Sequence, residues 1–135
     1  MLNIAMAGGL PAPDGTQATV RDWFDLCDIQ AQVYRQWRDL FGTFDFVLAP
    51  VSATPAFPHH PGQIFQDTIA IDGVDLPAGP QLAWAGIVTF PGLPATVLPV
   101  GTVDDLPVGM QVIGDRLQDF QTIDGARQIA ALLDS

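Results

Sequence analysis

The sequence predicts an α/β fold in which helices flank a β-sheet. Two apolar runs of strand length, residues 95–100 and 108–113, are separated by a short polar link. Helical periodicity precedes and follows this pair of runs. Both runs are apolar on both faces, and Gln111 is the single polar interruption of the second. We therefore expect two neighbouring antiparallel strands inside a sheet that is covered on both sides.

Composition and charge narrow the classes of function. The 135 residues are the length of one domain, and the formal net charge is −10. This charge argues against nucleic acid and anionic membrane surfaces as partners, because binding to phosphates requires clustered cations. All fifteen acidic residues are aspartate and all five basic residues are arginine, so the chain contains no lysine.

Cysteine usage and hydropathy bear on the cellular compartment. A single cysteine, Cys27, excludes an internal disulfide and fits a reducing environment. No apolar stretch is long enough to cross a bilayer, and the first nine residues lack the features of a signal peptide. We therefore expect a cytoplasmic protein.

The first half of the chain contains one long helix and one short strand. Residues 1–18 are rich in glycine and proline and predict an irregular lead-in. A helix is predicted over residues 19–41, because apolar residues recur there at spacings of three or four. Thr19 is a suitable N-cap and Gly42 a suitable stop. A short strand over residues 44–49 should follow and end at the next residue, a proline.

The second half is predicted to be a long loop followed by the central strands. Residues 51–80 contain several prolines, and Asp72-Gly73 predicts a short hairpin within them. A loop of this length more often serves a function or covers a larger body. Residues 82–114 should contain a short helix and the central strand pair. A terminal helix is predicted over residues 120–133, with Asp119 as a candidate cap.

Candidate nucleophiles are few, and each has a simpler structural explanation. Ser52 has neither a base nearby in sequence nor the glycine-lined turn that presents a serine nucleophile, which favours an ordinary loop serine. Cys27 could pair with His59 or His60 as a thiol and imidazole. It lies on or beside the apolar face of the first helix, however, which favours a buried structural cysteine.

The remaining polar pairs do not predict a metal site or acid–base chemistry. His59 and His60 have no carboxylate or cysteine at ligand spacing, so a surface loop is favoured. Asp104-Asp105 lies in the link between the two strands, where aspartate is common for turn geometry. We predict no metal and no cofactor.

Three large apolar residues lie on the short segment that leads into the central strands. They are Trp84, Ile87 and Val88. Core packing is the favoured role for them, and a pocket wall is the alternative.

The motifs around the central strands resemble the C-terminal region of the amidase signature family of amide hydrolases. They read GLPA, then VLPVG, then LPVGxQxxG after a short link. WRDLF and FDFVLAP, at residues 37–41 and 44–50, resemble the family's helix and following strand. Thr54-Pro55 and Gln118-Asp119 resemble its next loop and its closing segment. From about Trp23 onward, the resemblance implies the C-terminal part of the amidase signature fold, a mixed β-sheet with flanking helices that is incomplete without the N-terminal half.

This resemblance does not extend to the family's catalytic residues. The family uses a serine nucleophile, a second serine on a cis peptide, a lysine base and glycine-rich backbone donors, all in its N-terminal half. None has a counterpart here, and without lysine no side-chain amine can act as the base. The segment before GLPA helps to line the family's acyl pocket, which implies substrate contacts at Trp84, Ile87 and Val88. Thr89 replaces the family's frequent asparagine, so the hydrogen bonding at that position is expected to differ.

We therefore expect the C-terminal part of an amidase, inactive alone, that contributes sheet scaffold and a wall of the substrate pocket. Its expected partner is the missing N-terminal catalytic half, or a second copy, and the complete enzyme would bind a small-molecule amide. One alternative is a non-catalytic binding or assembly module with amidase-like packing. A hydrolase that uses Cys27 as its nucleophile is a further alternative.

Overall fold

The computed structural model describes residues 19–58 and 67–133, which form helices and antiparallel strands. The elements in chain order are Val20–Phe41 (α1), Val47–Pro50 (β1), Thr68–Ile71 (β2), Val74–Pro77 (β3), Ala83–Gly86 (α2), Ala95–Val103 (β4), Leu106–Ile113 (β5) and Asp119–Leu133 (α3). A 3₁₀ turn, Gly79–Leu82, precedes α2. The predicted α/β class is confirmed. The predicted lead-in over residues 1–18 and the His59-His60 pair lie outside the described residues.

The main sheet has three strands in the order β1-β5-β4, and β5 is central. Both of its pairings are antiparallel, and Ile113 of β5 faces Val47 of β1 on one side and Ala95 of β4 on the other. A parallel neighbour, which a mixed sheet requires, would have to come from outside the described residues. The strands β2 and β3 form a separate antiparallel hairpin.

Both hairpins close through two-residue turns that contain aspartate. Asp104 and Asp105 join β4 to β5 with φ angles of 50° and 62°, and Asp72 and Gly73 join β2 to β3 with φ angles of 51° and 78°. Left-handed backbone at both turn positions matches the right-handed twist of the paired strands, and aspartate and glycine tolerate it best. The Asp104-Asp105 pair thus has a conformational role in the turn.

Strand β1 begins three residues later than the sequence predicts. The backbone amides of Thr43 and Phe44 both donate to the carbonyl of Leu40, at 2.9 Å each, so the chain is still closing α1 where the strand was expected. The strand also includes Pro50. Among the described residues β1 pairs on one side only, with β5, so proline is tolerated at its end.

Helix α3 covers one face of the sheet and forms the core. Leu98, Val112 and Ala126 are buried together. Four partly buried side chains pack around them: Phe46, Met110, Ile129 and Ala130. Ile113 and Thr122 are also fully buried. The core therefore lies where β4 and β5 meet α3.

The apolar strands predict cover on both faces of the sheet, and within residues 19–58 and 67–133 this cover is found only in the second half of β5. Residues 111–114 are buried, whereas β4 is an edge strand. Val97 and Val103 of β4 are 59% and 50% exposed. The prediction is wrong for β4 within the described structure, because these two side chains remain at least half exposed.

Helix α1 is well formed locally but packs poorly. Thr19 and Asp22 form a capping box, in which each side chain accepts a hydrogen bond from the other residue's backbone amide. None of its 22 residues is buried in the described structure, and Trp23 and Phe24 are 62% and 64% exposed. Cys27 is half-buried, so its predicted burial is wrong in degree. No helix in the described part of the chain is both long enough and apolar enough to cross a bilayer.

The close approach of β5 to α3 gives the first prediction. A Cβ at Gly114 would overlap the hydroxyl oxygen of Thr122, which is fully buried and cannot move without shifting α3. Gly114→Ala should lower the free energy of unfolding by about 1–3 kcal/mol, measured by circular dichroism in urea.

Two further variants test this explanation. Gly86→Ala is the control, because nothing lies within 4 Å of the added Cβ, and its stability should be unchanged or higher. Adding Thr122→Ala to Gly114→Ala should recover part of the loss through a coupling of about 1 kcal/mol. Strictly additive costs would show that the Gly114–Thr122 overlap is not the cause.

Candidate functional site

The segment between β3 and β4, residues 78–94, carries the three predicted pocket residues and is called the wall segment below. Its turn is closed by the carbonyl of Val88, which accepts hydrogen bonds from the amides of Gly92 and Leu93 at 3.1 and 3.0 Å. Gly92 has a φ of 71°, which an L side chain rarely adopts. Leu93 is buried, so the segment ends anchored to the core as it enters β4.

The predicted pocket residues lie together on this segment. Trp84, on α2, is 38% exposed, and Ile87 and Val88 are half-buried in the turn that follows. None of them lines either of the two cavities described below, whereas the neighbouring Leu82 and Ala85 line the smaller one. Partial exposure on one segment leaves these three side chains available for contact with a further part of the protein or with a ligand.

A buried glutamine on the central strand holds the wall segment. The Nε2 of Gln111 donates to the carbonyl of Trp84 at 2.7 Å and to the carbonyl of Pro50 at 2.8 Å. Gln111 is 3% exposed. A buried amide that uses both of its hydrogens in this way fixes its partners more strongly than an exposed one.

A cavity of about 140 Å³ lies between the wall segment and the loop after β1. Val51, Ser52 and Phe57 line it from the loop. The wall segment contributes four lining residues, and β2 contributes Ile69. Those of the wall segment are Ala78, Gln81, Leu82 and Ala85. Its volume is close to that of the apolar cavities that accept a single small aromatic ring.

The hydroxyl of Ser52 has a local role in this loop. Its Oγ accepts a hydrogen bond from the backbone amide of Thr54 at 3.4 Å, a weak contact of the kind that serine makes in turns. The loop serine that the sequence favours is compatible with this geometry.

A larger and more open groove of about 490 Å³ lies against the same loop. It is lined by residues 53–58, by β2 and by the turn between β4 and β5, which includes Asp104. The Oγ1 of Thr54, one of its lining residues, is buried and has no hydrogen-bond partner in the described structure. In residues 19–58 and 67–133, no three histidine, cysteine or acidic side chains are grouped closely enough to hold a metal ion.

Helix α1 makes polar contacts with the wall segment and with the loop after β5. The Nε2 of Gln30 donates to the carbonyl of Phe90 in the wall segment at 2.6 Å. The hydroxyl of Tyr34 lies 3.3 Å from the Oδ1 of Asp115, and the Arg116 guanidinium lies 5.4 Å from the centre of the Tyr34 ring. These polar contacts join the helix to the end of the wall segment and to the loop after β5.

The amidase family model matches residues 12–123, which include the whole wall segment and both strands of the central pair. This chain belongs to the amidase family. The resemblance seen in the sequence motifs is thereby confirmed, and hydrolysis of amides is the chemistry of the parent family.

Individual relatives agree with this assignment. A glutamyl-tRNA(Gln) amidotransferase subunit from Marinobacter nauticus is 30% identical over 125 residues, which are 89% of this chain and 24% of that protein. Its counterpart from Geobacillus stearothermophilus is 30% identical over 110 residues, 78% of this chain and 21% of its own length. This amidase chain therefore spans about a quarter or less of these relatives.

Solved structures show the same partial coverage. A bacterial aryl acylamidase of the amidase signature family superposes with a TM-score of 0.58 and 28% identity, over 78% of this chain and 21% of its own. The corresponding glutamyl-tRNA(Gln) amidotransferase subunit from Thermotoga maritima superposes with a TM-score of 0.53 and 25% identity, over 70% of this chain and 19% of its own. The fold of this amidase chain thus corresponds to one part of a larger amidase.

Sequence reasoning missed two residues that position the wall segment. Gln111 had a visible signal, because it is the only polar side chain in an apolar strand run, but its two partners are 27 and 61 residues away. Gln30 had no such signal, since a glutamine on a polar helix face is ordinary and its partner is a backbone carbonyl 60 residues away.

The weak attachment of α1 gives the second prediction. Gln30→Ala removes the hydrogen bond to the Phe90 carbonyl, which attaches the helix to the wall segment. Amide hydrogen exchange in residues 20–41 should become about two- to tenfold faster, while exchange in α3 stays unchanged. Gln32→Ala, at an exposed position of the same helix, is the control. Equal effects of the two variants would show that Gln30 does not attach α1.

Proposed function

We propose that this chain is the C-terminal part of an amidase that hydrolyses carboxylic amides, where it completes the sheet and forms one wall of the substrate pocket. The observation that carries the proposal is the family match over residues 12–123 in a chain that spans only 24% of an amidase relative. Trp84, Ile87 and Val88 are the proposed contacts with the amide substrate. A cytoplasmic location fits the single cysteine.

The chemical step would be performed by residues outside this chain. The family's mechanism needs a lysine base, and these 135 residues contain no lysine. The serines are Ser52 and Ser135, and the former binds only its own loop within the described structure. A substrate amide held against the wall segment would thus need a nucleophile and base from the remainder of the enzyme.

Exposed apolar surface supports a missing partner. Seven hydrophobic residues are buried among those described, whereas all of α1 and much of β4 remain accessible. Covering roughly 500 Å² of such surface would contribute about 12 kcal/mol at about 25 cal/mol per Å², comparable with the whole stability of a domain. The rest of the amidase is the proposed cover, and a second copy of this chain is the substitute when that part is absent.

A non-catalytic assembly module is the second candidate. Its support is that three of the four similar proteins named above are amidotransferase subunits. In such a module, amidase-like packing would serve protein contacts without an amide in the pocket.

The chemistry is tested on the purified chain with simple aromatic and aliphatic amides. We expect no serine-dependent hydrolysis and no labelling by a fluorophosphonate, because no lysine is present to activate a serine. The Ser52→Ala variant should behave like the parent chain in both assays. Turnover or labelling that disappears in Ser52→Ala would contradict the proposal.

The exposed helix face gives a separate prediction about association. Light scattering should show that the isolated chain forms oligomers. The double variant Trp23→Ser/Phe24→Ser should shift the chain toward the monomer, because both apolar side chains are more than half exposed. Helix content should change little. Gln32→Ser is the matched control. A parent chain that is monomeric and unfolds cooperatively would instead favour the autonomous module.

A further inference from the structure

We infer that Gln111 is the positioning residue of the substrate wall, because its side-chain amide ties the wall segment to the end of β1. The role of the wall in contacting substrate rests on the proposed function. The tether itself rests on the geometry of described residues alone. Gln111 would act through Trp84 and its neighbours and would not touch the substrate.

The hydrogen bonds determine how the Gln111 amide is oriented. Both partners, the carbonyls of Trp84 and Pro50, accept hydrogen bonds only, so the NH₂ group has to face them. One nitrogen at 2.7 and 2.8 Å from two carbonyl oxygens uses both of its hydrogens. The tether therefore joins three parts of the fold at one atom: central strand, edge strand and wall segment.

The two tethered residues lie next to residues that face each other across the small cavity. Val51 follows Pro50, and Ala85 follows Trp84, and both line the space of about 140 Å³. The Gln111 amide thus bridges the two walls of the cavity, at one residue's distance along the chain from each. A change at Gln111 should alter both the cavity and the position of the Trp84 ring.

The chemistry of the site demands glutamine. Asparagine is one methylene shorter and would not reach the same two oxygens from the same backbone position. Glutamate has a similar shape, but its ionised carboxylate would place an acceptor against two carbonyl acceptors. Methionine fills a similar volume and offers no donor, so it isolates the loss of the hydrogen bonds from a loss of packing.

The test compares Gln111→Met with Ala126→Gly in the full chain. Ala126 is a buried residue of α3 in the core cluster, so its change to glycine weakens the fold without removing the tether. We expect Gln111→Met to speed amide hydrogen exchange about tenfold in residues 78–94 and to leave residues 119–133 unchanged. Ala126→Gly should instead speed exchange in residues 119–133 and leave residues 78–94 unchanged.

A spectroscopic readout separates positioning from stability. The chain has three tryptophans, and Trp23→Phe with Trp37→Phe leaves Trp84 as the only one. In this background, Gln111→Met should shift the Trp84 emission to the red and increase its quenching by iodide, while Ala126→Gly should leave both unchanged. Faster exchange throughout the chain with an unaltered Trp84 emission would show a general structural role and overturn the inference.

A measurement on the unaltered chain covers the case in which Gln111→Met does not fold. Both side-chain amide protons of Gln111 should be protected in nuclear magnetic resonance spectra and show proximity to Trp84 and Pro50. Rapid exchange of these protons with solvent would overturn the tether. An intact tether in an enzyme whose Trp84 never approaches an amide would instead overturn the proposed function.

Discussion

The structure depends on the packing of α3 against the central strand β5. Val112 and Ala126 are buried at this contact, and the backbone at Gly114 leaves no room for a Cβ beside Thr122. Since β5 pairs with both β1 and β4, its position determines theirs. A bulge at Pro99/Gly101, within β4, shifts the register of that strand against β5.

The same strand connects scaffold and site. One face of β5 supplies apolar side chains to the core, while Gln111 directs its amide to two backbone carbonyls in other segments. A buried NH₂ group that donates both of its hydrogens favours one arrangement of its neighbours, because an alternative would leave a buried donor unsatisfied. The wall segment has little regular structure of its own, so it takes its position from this residue and from α1 through Gln30.

Sequence patterns predicted the elements that depend on local chemistry. The Thr19 cap, the aspartate turns and the helix periodicity are all encoded within a few residues. The start of β1 was predicted too early, because the closing hydrogen bonds of α1 extend to Phe44. The partners of Gln30 and Gln111 could not be predicted, since each is a backbone carbonyl whose approach depends on tertiary packing. Apolar strand content indicated burial, but it could not show which faces the described chain itself covers.

Apolar side chains on one face of the sheet and on helix α1 are exposed in the described structure. Strand β4 carries valines that suit a buried position, yet Val97 and Val103 are half or more exposed, while the opposite face packs on α3. Helix α1 likewise has an apolar face and a polar face, yet none of its side chains is buried in the described structure. The sequence and the local structure of β4 and α1 are thus both suited to burial, whereas their apolar side chains are largely exposed in the described structure. In a chain that covers about a fifth of a known aryl acylamidase, a further part of the amidase packed on these two surfaces would resolve that disagreement.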